Sequence, residues 1–150
     1  MKLLLISSSG GHFNALCQLT SFWQNHDRQW VTFPTATTRN YLAQEEVHWA
    51  FGPTNRNLPN LCRNLGLAVR IIYQERPDMV ITTGAGVAVP FLLFAKLLGI
   101  KTIFIESFTR VNDLSLSAKL ILPCIDVLYV QWKQLQQRYP QAKLIEVLAQ

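Results

Sequence analysis

The sequence is short of charge: Asp, Glu, Lys and Arg make up only 15% of its 150 residues, against 49% hydrophobic. A chain so rich in apolar side chains is not a disordered one, because it has ample surface to bury. No Lys/Arg run of five or more occurs, and the 14 basic residues are scattered singly, which disfavours a nucleic-acid reader. The formal charge of +5 still favours anionic partners such as a lipid surface or a pyrophosphate. Cysteine is scarce. Cys17, Cys62 and Cys124 stand far apart without CxxC spacing, so neither a disulfide framework nor a zinc site is indicated. Each is expected to be a reduced, small buried hydrophobe in a cytosolic setting. The absence of HExxH and of a Ser/His/Asp order removes support for metallohydrolase and serine-hydrolase chemistry, and no metal is expected.

Long hydrophobic runs are also missing. The opening run from Leu3 to Ile6 stops at Ser7-Ser8-Ser9-Gly10, too short for the core of a signal peptide. The stretch from Ala85 to Ile100 is interrupted by Pro90 and Lys96, and it falls short of the ~20 residues a membrane-spanning helix needs. A soluble or peripheral protein, one domain over residues 1–150, is the expectation.

What the chain does have is alternation. Short apolar runs predict strands at 2–7, 30–33, 47–51, 78–82, 101–105, 127–130 and 143–148. Between them helical patterns are expected at 13–23, 38–44, 59–75, 87–98, 115–122 and 131–139. Strands that read as continuous Val/Ile/Leu are buried on both faces. The pattern therefore predicts an α/β fold: a doubly wound, mostly parallel Rossmann-like sheet with helices on both sides. In the helix expected at 59–75, the i, i+3, i+4 rule assigns Leu58, Leu61, Cys62, Leu65, Ala68, Val69 and Ile72 to the buried stripe. The opposite face would then expose Leu67 and Ile71 beside Arg56, Arg63 and Arg70, which recur every seven residues. Apolar groups among bases suit contact with an anionic membrane.

Ligands of doubly wound sheets bind beyond the carboxyl ends of the strands. Three such ends carry chemistry. Ser9, Gly10, Gly11 and His12 follow the first strand and open a helix. The glycines permit close approach of the backbone, and the positive helix end favours an anion and a neutral imidazole able to take a proton. The run is not GxGxxG, and no acidic residue ends the second strand, so a nicotinamide cofactor is disfavoured. Thr83, Gly84, Ala85 and Gly86 follow the fourth strand as a second phosphate-sized turn. Glu106, with Ser107 and Arg110, follows the fifth, and a carboxylate at the end of a buried strand points to function. Either His12 or Glu106 could deprotonate a sugar hydroxyl.

These pieces resemble the Alg14 family, with its bacterial PssD- and CpsF-like members. The matching residues are Ser9-Gly10-Gly11-His12, Asn64 through Pro77-Asp78, Thr82 through Pro90, Lys96-Leu97-Leu98-Gly99, Ile103 to Arg110 with its Ile105-Glu106-Ser107-Phe108-Thr109-Arg110 block, Asp126, Val130-Gln131-Trp132 and Tyr139-Pro140. The resemblance implies the acceptor-side half of a GT-B glycosyltransferase similar to MurG. A separate Alg13- or PssE-like subunit would hold most of the UDP-sugar, and no further cofactor is implied. Such a pair transfers the sugar with inversion to a lipid pyrophosphate-linked acceptor at the cytosolic membrane face. A membrane-recruiting, acceptor-docking scaffold without chemistry of its own is the alternative. The family's eukaryotic members carry an N-terminal membrane anchor, whereas this chain is expected to lack one, like the bacterial relatives. The chain departs from the family pattern at Ser117-Ala118-Lys119-Leu120, where Thr-Gly-Lys-Leu is common. It departs again at Leu144-Ile145-Glu146, which stand where a tyrosine-x-glycine pattern is usual.

Overall fold

The structure, a computed structural model, describes residues 1–54 and 57–145. In chain order the elements are β1 (Lys2–Ile6), α1 (Gly11–Cys17), α2 (Thr20–Trp23), β2 (Asp27–Thr32), α3 (Ala36–Tyr41), β3 (Val47–Trp49) and α4 (Leu58–Glu75). There follow β4 (Met79–Thr82), α5 (Ala88–Leu97), β5 (Lys101–Ile105), α6 (Leu116–Ile121), β6 (Val127–Val130), α7 (Lys133–Arg138) and β7 (Lys143–Leu144). The seven strands form one sheet in the order β3-β2-β1-β4-β5-β6-β7, and every pairing is parallel. This is the doubly wound α/β fold the alternation predicts.

Strand geometry sorts the core. Along β1, Leu4 and Ile6 join one buried cluster with Ala68, Ile71 and Ile72 of α4, Phe91 and Leu92 of α5, and Ile121 of α6. Leu3 and Leu5 point the other way, to Phe13 and Leu16 of α1, Trp23 of α2 and Trp30 of β2. Successive side chains of a strand face opposite sides, so a continuous apolar run feeds two cores at once.

The winding reverses at β1. From β1 the chain steps outward to β2 and β3, then returns through α4 to place β4 on the other side of β1. The loops after β1 and β4 therefore face one another across the switch point, where a crevice must open.

Helix α4 corrects the expected facing. Its buried residues are Asn60, Asn64, Leu67, Ala68, Ile71 and Ile72. Leu58, Leu61, Leu65 and Val69 are exposed, as is Cys62. Of the stripe expected to be buried, only Ala68 and Ile72 are. The reason is polar. Asn64 lies fully buried, accepting from the Phe51 amide and donating to the Phe51 carbonyl, both at 2.9 Å. Asn60 donates to the Pro53 carbonyl at 2.8 Å. Buried backbone groups must find partners, and these two amides supply them to the segment after β3. A periodicity that counts asparagine as solvent-facing turns the helix the wrong way. Leu67 and Ile71 are thus core residues, not membrane-contact residues.

Two further expectations change. The single helix foreseen over 13–23 is two, α1 and α2, with the Thr20 hydroxyl donating to the Cys17 carbonyl at the joint. Cysteine burial is also less than expected: Cys17 and Cys124 are half-buried and Cys62 is exposed. The last strand ends at Leu144, and the 146–148 part of the expected strand lies outside the described residues, as does Arg56. Among the described residues no helix is long and apolar enough to cross a membrane.

Candidate functional site

A cleft of about 1060 Å³ opens at the carboxyl ends of the strands. From the expected site it brings together Gly11, His12, Ala85, Gly86, Glu106, Ser107 and Arg110. Ser9, Gly10, Thr83 and Gly84 do not line it. Thr83 and Gly84 lie buried behind its wall, where they hold the residues that do.

His12 stands in the first turn of α1, which opens where Gly10 takes a positive φ of 84°. Its Nδ1 lies 3.0 Å from the Thr83 carbonyl oxygen, and the Thr83 hydroxyl donates in return to the His12 carbonyl. A carbonyl can only accept, so Nδ1 carries a proton. In the neutral ring Nε2 is then the acceptor. The imidazole rests on Gly84: a Cβ built there would come within 3.1 Å of His12 Cε1 and Nδ1, and Gly84 holds φ at +120°. Space and backbone conformation both require glycine at this position. The Gly84 amide is tied to the Thr82 hydroxyl at 3.0 Å, and the next residue, Ala85, also has a positive φ, 86°.

Glu106 follows β5 and is 1% exposed. Its Oε1 accepts from the Ser107 amide at 2.9 Å, and its Oε2 accepts from both the amide and the hydroxyl of Ser115 at 2.9 Å. Ser115 is also the N-cap of α6, accepting from the Ala118 amide. Between these two serines the chain runs as a strap along the cleft. Trp132 Nε1 donates to the Phe108 carbonyl at 2.7 Å, with the Phe108 and Trp132 rings 5.1 Å apart. Asp113 accepts from Lys119, from the Tyr139 hydroxyl at 2.7 Å and from the Leu114 amide. The Lys119 ammonium, then the Tyr139 hydroxyl, hold Asp113 well below the usual carboxylate range. The same contact with Asp113 pushes the Tyr139 hydroxyl up. Arg110 sits exposed at the strap's crest, and its guanidinium has no ion-pair partner among the described residues.

The cleft has residues that the strand-end reading did not name. Thr54 and Asn57 come from the segment after β3, and Asn57 also caps α4 through the Asn60 amide at 3.0 Å. That segment follows a strand end too, so the same rule could have found them. Thr109, Ser115 and Ser117 add hydroxyls. Leu58, Leu61, Val89, Leu116 and Leu120 make one wall apolar. Ser117 and Leu120 fall in the tetrapeptide where the chain departs from the family pattern, and that tetrapeptide is part of helix α6. The apolar wall continues outside the cleft through exposed Leu65, Val69 and Tyr73 of α4 and Leu93 and Leu97 of α5, neighbouring helices on the same face. Arg63 and Arg70 are exposed on α4, and Arg63 donates to Asn60.

Chemically the cleft offers the His12 imidazole, the Glu106 carboxylate, a guanidinium on Arg110 without an ion-pair partner among the described residues, and many neutral hydroxyl and amide groups beside an apolar wall. That combination suits a substrate with a hydroxylated part, an anionic part and an apolar part.

Residues 54–148 match the family described as "Oligosaccharide biosynthesis protein Alg14 like". The UDP-N-acetylglucosamine transferase subunit ALG14 of Candida albicans is 43% identical, over 98% of this chain and 78% of the relative. That of Mus musculus is 36% identical, over 95% of this chain and 80% of the relative. A third, from Yarrowia lipolytica, is 35% identical over 57% of this chain but only 42% of its own length. Among solved structures, MurG of Acinetobacter baumannii superposes with a TM-score of 0.73 at 19% identity, covering 99% of this chain and 46% of that one. UDP-GlcNAc 2-epimerase of Methanocaldococcus jannaschii gives 0.73 at 14% identity, covering 97% and 45%. The chain spans less than half of both solved chains. At such identities these likenesses establish a shared fold.

Proposed function

The chain belongs to the Alg14 family, and from that premise we propose that it is the acceptor-side subunit of a two-component, inverting glycosyltransferase. The donor is a UDP-sugar, with UDP-N-acetylglucosamine favoured by the names of the relatives. The acceptor is a lipid pyrophosphate-linked sugar. An Alg13- or PssE-like partner closes the cleft and holds the donor. The match to under half of MurG supports this division, since one lobe supplies one wall of a cleft that needs two.

The reading rests on one observation above others: the tethered His12 ring, with Nε2 as its acceptor, lines the same cleft as the Arg110 guanidinium, which has no ion-pair partner among the described residues. In the reaction the acceptor hydroxyl gives its proton to Nε2 as its oxygen bonds to the anomeric carbon. The bond from that carbon to the UDP phosphate oxygen breaks on the opposite side, and UDP leaves with the electron pair. A neutral imidazole is a suitable base for this step. Arg110 and the backbone at Gly86 hold the acceptor's pyrophosphate.

The membrane contact is the exposed leucine face of α4, α5 and α6, with Arg63 and Arg70 at its side to meet anionic headgroups. Its continuity with the cleft's apolar wall supports a bilayer as occupant, because the acceptor's lipid must stay in the membrane while its head reacts.

The test is co-expression with the partner subunit, followed by transfer from UDP-N-acetylglucosamine to a lipid pyrophosphoryl sugar. Activity is expected of the pair and not of the isolated chain. Full turnover by the chain alone would sink the two-component reading. Wild-type turnover by a His12→Ala pair would leave the chain a scaffold.

A further inference from the structure

Glu106 has the look of a base in sequence, yet its carboxylate is turned to other work. An ionised carboxylate offers about four lone-pair sites, and three donors from Ser107 and Ser115 already occupy three of them. At 1% exposure the group has little left to present to a substrate. What those three bonds accomplish is geometric. They pin both ends of the strap from Ser107 to Ser115 to one point at the end of β5. The middle is fastened from outside by Trp132 on Phe108, by Arg138 Nη1 on the Asn112 carbonyl at 3.1 Å, and by Tyr139 on Asp113. Near the crest, the Arg110 amide donates to the Ser107 carbonyl at 3.0 Å and the Thr109 amide to the Ser107 hydroxyl at 3.2 Å. The Thr109 hydroxyl pairs with the Ser107 hydroxyl at 2.9 Å, and the Arg110 side chain is left to the cleft.

We infer that Glu106 is a positioning residue: through Ser115 and Ser107 it fixes the strap that presents the Arg110 guanidinium to the anionic part of the substrate. The inference deepens the proposed function and rests on it for the identity of that substrate. It does not need it for the anion. Charge-assisted bonds to an arginine depend on where the guanidinium is held. Glu106→Gln keeps the shape of the side chain but sets an NH₂ against an N–H at one end of the strap or the other. Ser115→Ala removes one bond to Glu106 and the cap of α6.

The experiment uses the full chain and inorganic pyrophosphate as probe, with titration calorimetry, beside steady-state kinetics of the assembled pair. Arg110→Ala is expected to weaken pyrophosphate binding by about tenfold or more. Glu106→Gln and Ser115→Ala are expected to weaken it comparably although neither touches the ligand, and their double variant to be little worse than either single one. Ser115→Thr, which keeps hydroxyl and amide, restores binding. In the pair, Glu106→Gln raises the acceptor KM more than it lowers kcat and leaves the shape of the pH–rate profile unchanged.

Unaltered pyrophosphate affinity in Glu106→Gln overturns the inference. So does a collapse of kcat with unchanged KM and a lost limb of the pH profile, which would make Glu106 the base. Absence of pyrophosphate binding by the unaltered chain overturns it as well. Should Glu106→Gln not fold, Ser115→Ala against Ser115→Thr decides alone. If the pair transfers no sugar while the binding pattern holds, the proposed function fails and the positioning role stands.

Discussion

His12 and Thr83 exchange two hydrogen bonds across the switch point of the sheet, imidazole to carbonyl in one direction and hydroxyl to carbonyl in the other. The pair joins the loop after β1 to the loop after β4 and fixes which nitrogen of the neutral ring is left as the acceptor. In metal and hydrolase sites alike, the partner of one imidazole nitrogen sets the role of the other, and here that partner is a backbone carbonyl that mutation cannot delete.

The ring can be removed or displaced. His12→Ala is expected to cut transfer by the assembled pair ~10²-fold or more while the chain stays folded. Gly84→Ala acts indirectly. Its Cβ would press on Cε1 and Nδ1 of His12, and a positive φ is costly for alanine, so about 1 kcal/mol or more of stability should go with the activity. Steady-state rates and urea unfolding of the two variants check both effects.

The facing of α4 yields a stability contrast. Asn64→Ala strands the amide and carbonyl of Phe51 and should cost about 1–3 kcal/mol. Leu65→Ala, one residue along but exposed, should change stability by no more than about 0.5 kcal/mol. A helix facing as the periodicity alone suggests would reverse the order. Urea midpoints decide.

Asp113 carries a pH signature. Its folded carboxyl titrates below the usual range, because Lys119 and Tyr139 favour its ionised form. The stabilisation is therefore complete above the unfolded carboxylate value of about 3.9, and it is lost as the pH falls toward the depressed folded value. Asp113→Asn should lower the thermal midpoint at pH 7, and the gap to the unaltered chain should shrink steadily below about pH 4. Thermal scans of both proteins across pH 2–7 make the comparison.

The leucine face predicts vesicle binding. Leu61→Glu with Leu65→Glu should abolish most co-sedimentation with phosphatidylserine vesicles, and Arg63→Glu with Arg70→Glu should weaken it about tenfold or more, since each base near such a surface is worth about 1 kcal/mol. Retention of full binding by both double variants would remove this face from consideration.

The sheet was legible in the sequence because buried parallel strands are written as unbroken apolar runs. β5 and β6 fall on the expected residues, 101–105 and 127–130. The split between α1 and α2 left no such mark. Neither glycine nor proline stands at the joint, and the break is made by a threonine hydroxyl on the Cys17 carbonyl. In α4 the hydrophobic period carried two competing faces, and buried asparagines chose between them, a choice that depends on what lies across from the helix. The site followed the same division. Strand ends located His12, Gly86, Glu106 and Arg110 because each is distinctive by type. Thr54 and Asn57 also follow a strand end and lay within reach of the same rule, whereas Ser115 and Ser117 are ordinary residues made relevant by the walls around them. The sequence could show Glu106 at the end of a strand but not the serine that folds back onto it nine residues later.

The β1–β4 pairing has a consequence for how the protein comes to be. His12 and Thr83 lie 71 residues apart in the chain, and β4 reaches β1 only after two strands and the whole of α4 have been laid down. Contacts of such separation are slow to form, because loop closure is paid before they give anything back. During synthesis the imidazole has no tether until Thr83 has been added, so a truncated product carrying the first three strands would hold the histidine without its anchor.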